Sequence, residues 1–355
     1  MQRTALVVGS TGIAGSNLAR RLLNEGWIVH GVARRPQAAP QGLQPVAADL
    51  TDAEGVKAAL AGIDPTHVFF ATWLRQATEA ENCRVNSAMV RNLLRALPRG
   101  GALQHTALVT GLKHYLGPFE SYGKGADLVT PFRESMPRLP IDNFYYAQED
   151  EVFAAATERG FTWSVHRPHT IIGFALGNAM NMGVTLAVYA TLCREAGRPF
   201  VFPGSAAQWN GLTDMTDARL LARHLEWAAT TPAAQNQAFN VVNGDVFRWK
   251  WMWSELAGYF GLEAAALPAE PMPLERQMAD DAPAWAKVAE RHGLVETDIS
   301  RLTSAWHTDA DLGRPLEVVT DMSKSREAGF LDYQSTRASF FDLFDALKAA
   351  RVIPT

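Results

Sequence analysis

The sequence predicts an α/β protein with a doubly wound parallel sheet and a smaller, mainly helical C-terminal lobe. Three observations carry that expectation. Short apolar runs alternate with helical periods up to about residue 174. A glycine-spaced turn joins the first run to the first helical period. Beyond residue 174 the alternation weakens, and helical patterns broken by proline take over. Near-continuous apolar runs are what strands need when helices cover both faces of a parallel sheet, and the crossovers between them should be right-handed.

The elements follow in order. "TALVVGSTGIAGSNLARRLLNEGW" reads as strand, tight turn and helix, and "IVHGVARRP" as a second strand ended by basic residues and Pro36. "LQPVAADLTDAEGVKAALAG" is a third strand and helix. "THVFFATW" is a fourth strand, "NSAMVRNLLRAL" a helix and "ALQHTALVTG" a fifth strand. A loop from Leu112 to Asp142 leads to a helix at Tyr145, and "FTWSVHRPHTIIG" is a sixth strand. "MNMGVTLAVYATLCREAG" is a long helix. "AAQWNGLTDMTDARLLARHLEWAATT" and "QAFNVVNG" bring a helix and a strand back to the sheet. From Phe247 the pattern is helical, with breaks between Pro268 and Pro273. The expected division is a sheet domain over 1–175, rejoined near 205–243, and a lobe from 176–204 and 244–355.

Composition narrows the function classes. A chain of 355 residues exceeds the usual single core, in keeping with a domain plus a lobe. Hydrophobic residues are 47% and charged residues 20%, ordinary values for a globular protein. A net charge of −4 offers no basic field for nucleic acid. The sequence has no apolar run of about 18 residues and no charged-then-apolar leader, so neither a membrane span nor a signal peptide is expected. The two cysteines, Cys83 and Cys193, make no metal or disulfide framework, which leaves a cytoplasmic setting as the default. No metal is expected, and a homodimer is the assembly carried forward. Among ten tryptophans, Trp209, Trp249 and Trp253, with Phe247, are candidates for a cleft; core packing is the competing role.

Gly9-Ser10-Thr11-Gly12-Ile13-Ala14-Gly15 is a GxxGxxG turn between strand and helix. Gly9 permits the turn, Gly12 lets backbone approach a pyrophosphate, and Gly15 lets helix pack close to strand. The free N–H groups of the helix start then face phosphate. This is a Rossmann-type arrangement, and it places Thr11 and Ile13 beside the cofactor. An NAD-binding second strand usually ends in a carboxylate that bonds the ribose 2′-OH. Here the strand ends in Arg34 and Arg35, which suit a 2′-phosphate, so the expected cofactor is NADPH/NADP+. Asp49 and Leu50 after the third strand, Thr72 and Trp73 after the fourth, and Thr110 and Gly111 after the fifth complete the expected cofactor contacts.

"NFYYAQEDEVFAAA" opens a helix with two tyrosines. In many nucleotide-dependent reductases a lysine one turn on supports such a tyrosine; here that place holds Glu149 or Asp150. The nearest candidate cation is Lys113, just past the fifth strand and at the ligand crevice of an open α/β sheet. An ammonium there favours phenolate and lowers the phenol pKa.

At these residues the chain resembles the progesterone 5β-reductase/iridoid synthase-like branch of the short-chain dehydrogenase/reductases. The matching pieces are "GSTGIAG", "GVARRP", "TGLKHYLGPFESYGK", "MPRL", "NFYYAQED", "TWSVHRP" and "MNMGVTLAVYATLC", with "FNVVNGDVFRWKWMW" continuing the likeness. The resemblance implies Lys113 and Tyr145 as the catalytic pair, with Tyr146 as the alternative tyrosine. It also implies NADPH-dependent 1,4-reduction of the C=C bond of an enone or enal, the phenol donating to the developing enolate oxygen. Thr110 is a further candidate contact to that oxygen. His169 stands where the family pattern has glycine, so the family's substrates do not carry over. Two readings compete: a carbonyl reductase or epimerase of the extended type, opposed by the absent YxxxK, and a non-catalytic NADP(H) sensor, opposed by the retained lysine and tyrosine.

Overall fold

The computed structural model describes residues 2–36, 40–118 and 129–355. The stretch of the KHY motif from 119 to 124 lies outside them. The first half of the chain runs β1 (Thr4–Val8), α1 (Ile13–Asn24), β2 (Ile28–Ala33), β3 (Gln44–Ala47), α2 (Ala53–Ala59), β4 (His67–Phe70), α3 (Glu79–Ala96), β5 (His105–Val109), α4 (Lys113–Leu116), α5 (Phe144–Arg159) and β6 (Thr162–Pro168). The second half continues β7 (Ile171–Ile172), α6 (Met182–Ala196), α7 (Ala206–Asn210), β8 (Thr216–Asp217), α8 (Ala218–Thr230), β9 (Gln237–Val241), α9 (Trp249–Tyr259), α10 (Leu274–Gln277), α11 (Ala282–His292), α12 (Ala305–Leu312), α13 (Ser323–Glu327) and α14 (Thr336–Ala349).

Among the described residues the main sheet has seven parallel strands in the order β3-β2-β1-β4-β5-β6-β9. Successive side chains of a strand point to opposite faces. Leu6 and Val8 therefore join Val56, Leu93 and Val152 under α2, α3 and α5, while Ala5 and Val7 join Leu18, Leu22, Leu221 and Leu225 under α1 and α8. Removing one such leucine to alanine costs about 2–5 kcal/mol. The strand order reverses between β1 and β4, and open α/β sheets bind ligands at the crevice such a reversal leaves at the C-terminal strand ends. Helix α5 starts on the Asn143 cap and stops at Gly160, whose left-handed φ of 78° suits glycine.

A third core is built from α6, α9, α11 and α14 with Phe200, Phe202 and Ile353. This is the helical lobe. Trp249, Trp253, Trp209 and Phe247 all lie buried inside it, so they take the core role rather than lining a cleft. The Trp253 indole donates to the Phe200 carbonyl at 3.1 Å. Met322 and Phe330 pack instead against the α1–α8 face of the sheet, so the chain past 320 returns to the first domain before α14.

Two local departures from the sequence expectation have simple causes. The loop after β5 begins with the single turn α4, too short to show a helical period. The expected sixth strand breaks after Pro168: β6 pairs with β9, whereas β7 pairs with β8 in a separate ladder that carries the chain to the lobe.

A buried polar chain runs from β5 and β6 to α8 and α13. His105 meets Ser164 at 2.9 Å, Ser164 meets His166 at 2.8 Å, His166 meets His224 at 2.9 Å, and His224 meets Ser325 at 2.9 Å. Each ring nitrogen in it faces one partner, which suits neutral imidazoles with alternating donor and acceptor sides.

Candidate active site

The glycine turn is steric in origin. A Cβ on Gly9, where φ is +84°, would stand 2.6 Å from the Ala71 carbonyl oxygen, and one on Gly15 only 2.2 Å from that of Gly9. Gly12 caps α1 without a side-chain bond, so no side chain occupies the first N–H groups from Ile13 onward. A cavity of about 130 Å³ lies at the switch point, lined by Gly9, Thr11, Arg34, Asp49, Leu50, Thr72 and Trp73, together with Leu74 and Met89. Seven residues expected from sequence thus meet in one place. A larger cleft of about 890 Å³ shares Thr11 and Arg34 with it and adds Ser10, Ser16, Arg20, Arg35 and, from the lobe, Arg301. Ser16 and Arg20 were not among the expected contacts, although their i, i+4 spacing in α1 puts them on one face. The Asp49 carboxylate accepts from the Thr51 amide at 2.9 Å and hydroxyl at 2.7 Å. These bonds, and more weakly Arg34, hold its pKa below the usual range.

Lys113 opens α4 and is buried, at 8% exposure. Its ammonium lies 5.3 Å from the Trp73 ring centroid and 5.0 Å from that of Phe144. Tyr145 follows Phe144, with ring centroids 4.3 Å apart. Its hydroxyl lies against Gly111: a Cβ there would stand 3.2 Å from the phenolic oxygen and 3.4 Å from the Pro168 carbonyl oxygen. Phenol, ammonium and glycine therefore gather where β5 and β6 end.

Tyr146 is placed differently. Its hydroxyl donates to the His114 carbonyl at 2.6 Å and accepts from the Leu139 amide at 3.0 Å. Burial pushes its pKa up. The Thr110 hydroxyl donates to the His166 carbonyl at 3.2 Å.

The acidic residues that stand in the lysine's usual place have their own partners. Arg138 donates to Glu149 at 2.7 Å and to Asp150 at 2.8 Å. Arg167 lies 3.8 Å from the other oxygen of Glu149. Burial pushes the Glu149 carboxyl up, and the Arg167 and Arg138 charges oppose that shift. A lysine at 149 would meet two guanidiniums.

His169, the departure noted in sequence, is buried between the lobe and the sheet domain. Its Nδ1 meets Asp214 at 2.8 Å and its Nε2 meets Arg314 at 2.7 Å. Arg314 in turn pairs with Asp311, which accepts from Thr170 at 2.6 Å. Helix α12 also brings His307 into the field of Lys113, Arg75 and Arg314; burial first, then those charges, lower its pKa, with Asp311 acting against them. Arg75 stacks on the neighbouring Trp306 at 3.9 Å. Nothing in the sequence pattern distinguished α12 from other lobe helices.

The fold is a Rossmann-type parallel sheet carrying a helical lobe. In solved structures the fold recurs in an epimerase from Methanothermobacter thermautotrophicus, with a TM-score of 0.69, 14% identity and coverage of 98% of this chain and 93% of that one. It recurs also in the UDP-glucose 4-epimerase of Thermotoga maritima, with a TM-score of 0.68, 15% identity and coverage of 98% and 99%. A family description, the PRISE-like Rossmann-fold domain, matches residues 46–354. The chain is 42% identical over 366 residues to an (S)-8-oxocitronellyl enol synthase of Nepeta racemosa, covering 99% of this chain and 94% of that protein. It is 39% identical to the 3-oxo-Delta(4,5)-steroid 5-beta-reductase of Arabidopsis thaliana, with the same two coverages of 99% and 94%. The chain belongs to the PRISE-like Rossmann-fold family.

Proposed function

We propose that this chain is an NADPH-dependent reductase of the C=C bond of α,β-unsaturated carbonyl compounds, with Tyr145 and Lys113 at the reacting end. The carrying observation is that the Lys113 ammonium and the Tyr145 ring both lie against Phe144 beside the ends of β5 and β6, although the chain lacks a YxxxK helix. The names of the relatives, a steroid 5-beta-reductase and oxocitronellyl enol synthases, support the same chemistry.

The residues fit a dinucleotide. The cradle at Gly9 and Gly15 leaves no room for side chains, and Gly12 presents bare backbone to a pyrophosphate. Arg34 and Arg35 line the adjoining cleft and suit a 2′-phosphate, which makes NADPH the proposed form. A bound NADPH supplies the hydride equivalent. The protein's part is electrostatic. As the substrate's β-carbon gains hydride, negative charge moves to the carbonyl oxygen, where the Tyr145 hydroxyl donates a hydrogen bond and Lys113 adds positive charge. The enolate then takes a solvent proton at its α-carbon, so enone, NADPH and one proton give saturated carbonyl and NADP+.

Cofactor deuterated at the transferred C4 position tests the proposal. Label on the β-carbon of a surviving ketone or aldehyde is the expected result. Label on the carbonyl carbon of an alcohol would instead establish a carbonyl reductase. A cytoplasmic location and a homodimer belong to the same proposal, to be checked by fractionation and sedimentation.

A further inference from the structure

We infer that Asn143 is a positioning residue that sets the spacing between Lys113 and Tyr145. This rests on the proposal that those two form the reacting pair. Asn143 is 3% exposed, and both ends of its side-chain amide are engaged. Its Oδ1 accepts from the Tyr145 amide at 3.0 Å, and its Nδ2 donates to the Lys113 carbonyl at 2.8 Å. One planar group of fixed length thus spans the two backbones that carry phenol and ammonium.

Lys113 needs such an anchor. Helix α4 is one turn of four residues, too short to hold itself. Helix α5 grips it at consecutive carbonyls, Asn143 taking that of Lys113 and Tyr146 that of His114. Helix α5 is itself located from a third side, where the Phe144 amide donates to Glu79 at 2.9 Å. A residue serving only as a helix cap would use its oxygen alone, and serine or aspartate would cap as well. The second bond, from the amide nitrogen to Lys113, is what an ordinary cap does not require.

The test uses Asn143→Ser and Asn143→Asp in the full chain. Serine keeps the cap without charge but is too short to reach Lys113. Aspartate keeps shape and cap but turns the donor into an acceptor facing a carbonyl. Asn143→Ser should melt within about 2–4 °C of the parent, as loss of one hydrogen bond predicts, and Asn143→Asp lower, because it sets a buried carboxylate against a carbonyl. For both, kcat on an enone should fall about 10- to 100-fold with KM for NADPH unchanged, the cost of a small misplacement at the reacting centre. The Tyr145 phenol, read by ultraviolet titration of each protein against its Tyr145→Phe counterpart, should titrate at higher pH than in the parent, because the ammonium no longer stands at its set distance. Parental kcat and parental phenol titration in either folded variant would overturn the role. If the parent itself reduces no enone, the functional proposal falls, while the phenol titration still decides the positioning role.

Discussion

The hydroxyl of Tyr145 rests against the backbone of Gly111, with 3.2 Å separating the phenolic oxygen from where a methyl on that glycine would sit. Gly111 was expected beside the cofactor. The structure sets the Tyr145 hydroxyl against it, where a side chain would press on the phenol. Gly111→Ala should push the ring outward. We expect kcat to drop by about tenfold or more, the scale of small misplacements at a reacting centre, with little change in the melting temperature. Steady-state kinetics beside a thermal melt checks this.

The two tyrosines should separate cleanly. Tyr145→Phe removes one donor to a developing oxyanion, a loss of about 10²–10³ in rate. Tyr146→Phe removes the bonds to His114 and Leu139. It should lower stability by about 1 kcal/mol per bond and slow turnover far less. The reverse ranking of the two rate losses would move the catalytic role to Tyr146.

Glu149→Lys rebuilds the tyrosine-to-lysine helical spacing of ordinary relatives, yet it should not rescue Lys113→Ala. The new ammonium would sit buried between Arg138 and Arg167. Breaking a buried ion pair of this kind costs about 3–5 kcal/mol. A lowered melting temperature with no recovered turnover is the expected outcome.

Arg34→Ala with Arg35→Ala should weaken NADPH binding about 10- to 100-fold, the worth of charged hydrogen bonds to a phosphate. NADH binding should barely move. Calorimetric titration of both cofactors decides it, and parental proteins that bind the two equally well would contradict the 2′-phosphate assignment.

Acid should unfold this protein early. Burial pushes His67 down to about 4 and His105, His114 and His224 each to about 3, and it carries His166 well below its ordinary value. In the unfolded chain these imidazoles take protons near pH 6.5. Stability from keeping them neutral is therefore complete above about pH 6.5 and lost as pH falls toward 3–4, with each group contributing up to about 1.4 kcal/mol per pH unit. Urea midpoints at pH 7.5 and 5.0 should differ strongly, the acid value being lower; equal midpoints would contradict the prediction.

Most of the sheet domain was legible because its signals are local. Apolar runs become β1 to β6, and the glycine turn sits where the strand-to-helix transition put it. Lys113 and Tyr145 were legible as types near one crevice. What joins them was not: Asn143 reaching the Lys113 carbonyl and Tyr145 lying on Gly111 are contacts between segments remote in sequence. The lobe was legible only as helical. Its tryptophans read more readily as core than as cleft, but which neighbours bury them, such as Phe200 and Phe340, is something no periodic pattern connects to them. Helix α12, which brings His307 toward Lys113, carried no composition that set it apart.

The acidic pair held by Arg138 has a consequence for how this site can change. In a helix that carries both tyrosine and lysine, one turn of backbone dictates the gap between them, and no substitution elsewhere can alter it. Here the two groups ride on separate pieces of chain, so their separation is a joint between parts. Changes in the α4 turn or at its Asn143 contact can widen or narrow that joint while the helix, its acidic clamp and the sheet beneath stay as they are. On the proposed assignment of Lys113 and Tyr145, the reach of the site is adjustable from that turn.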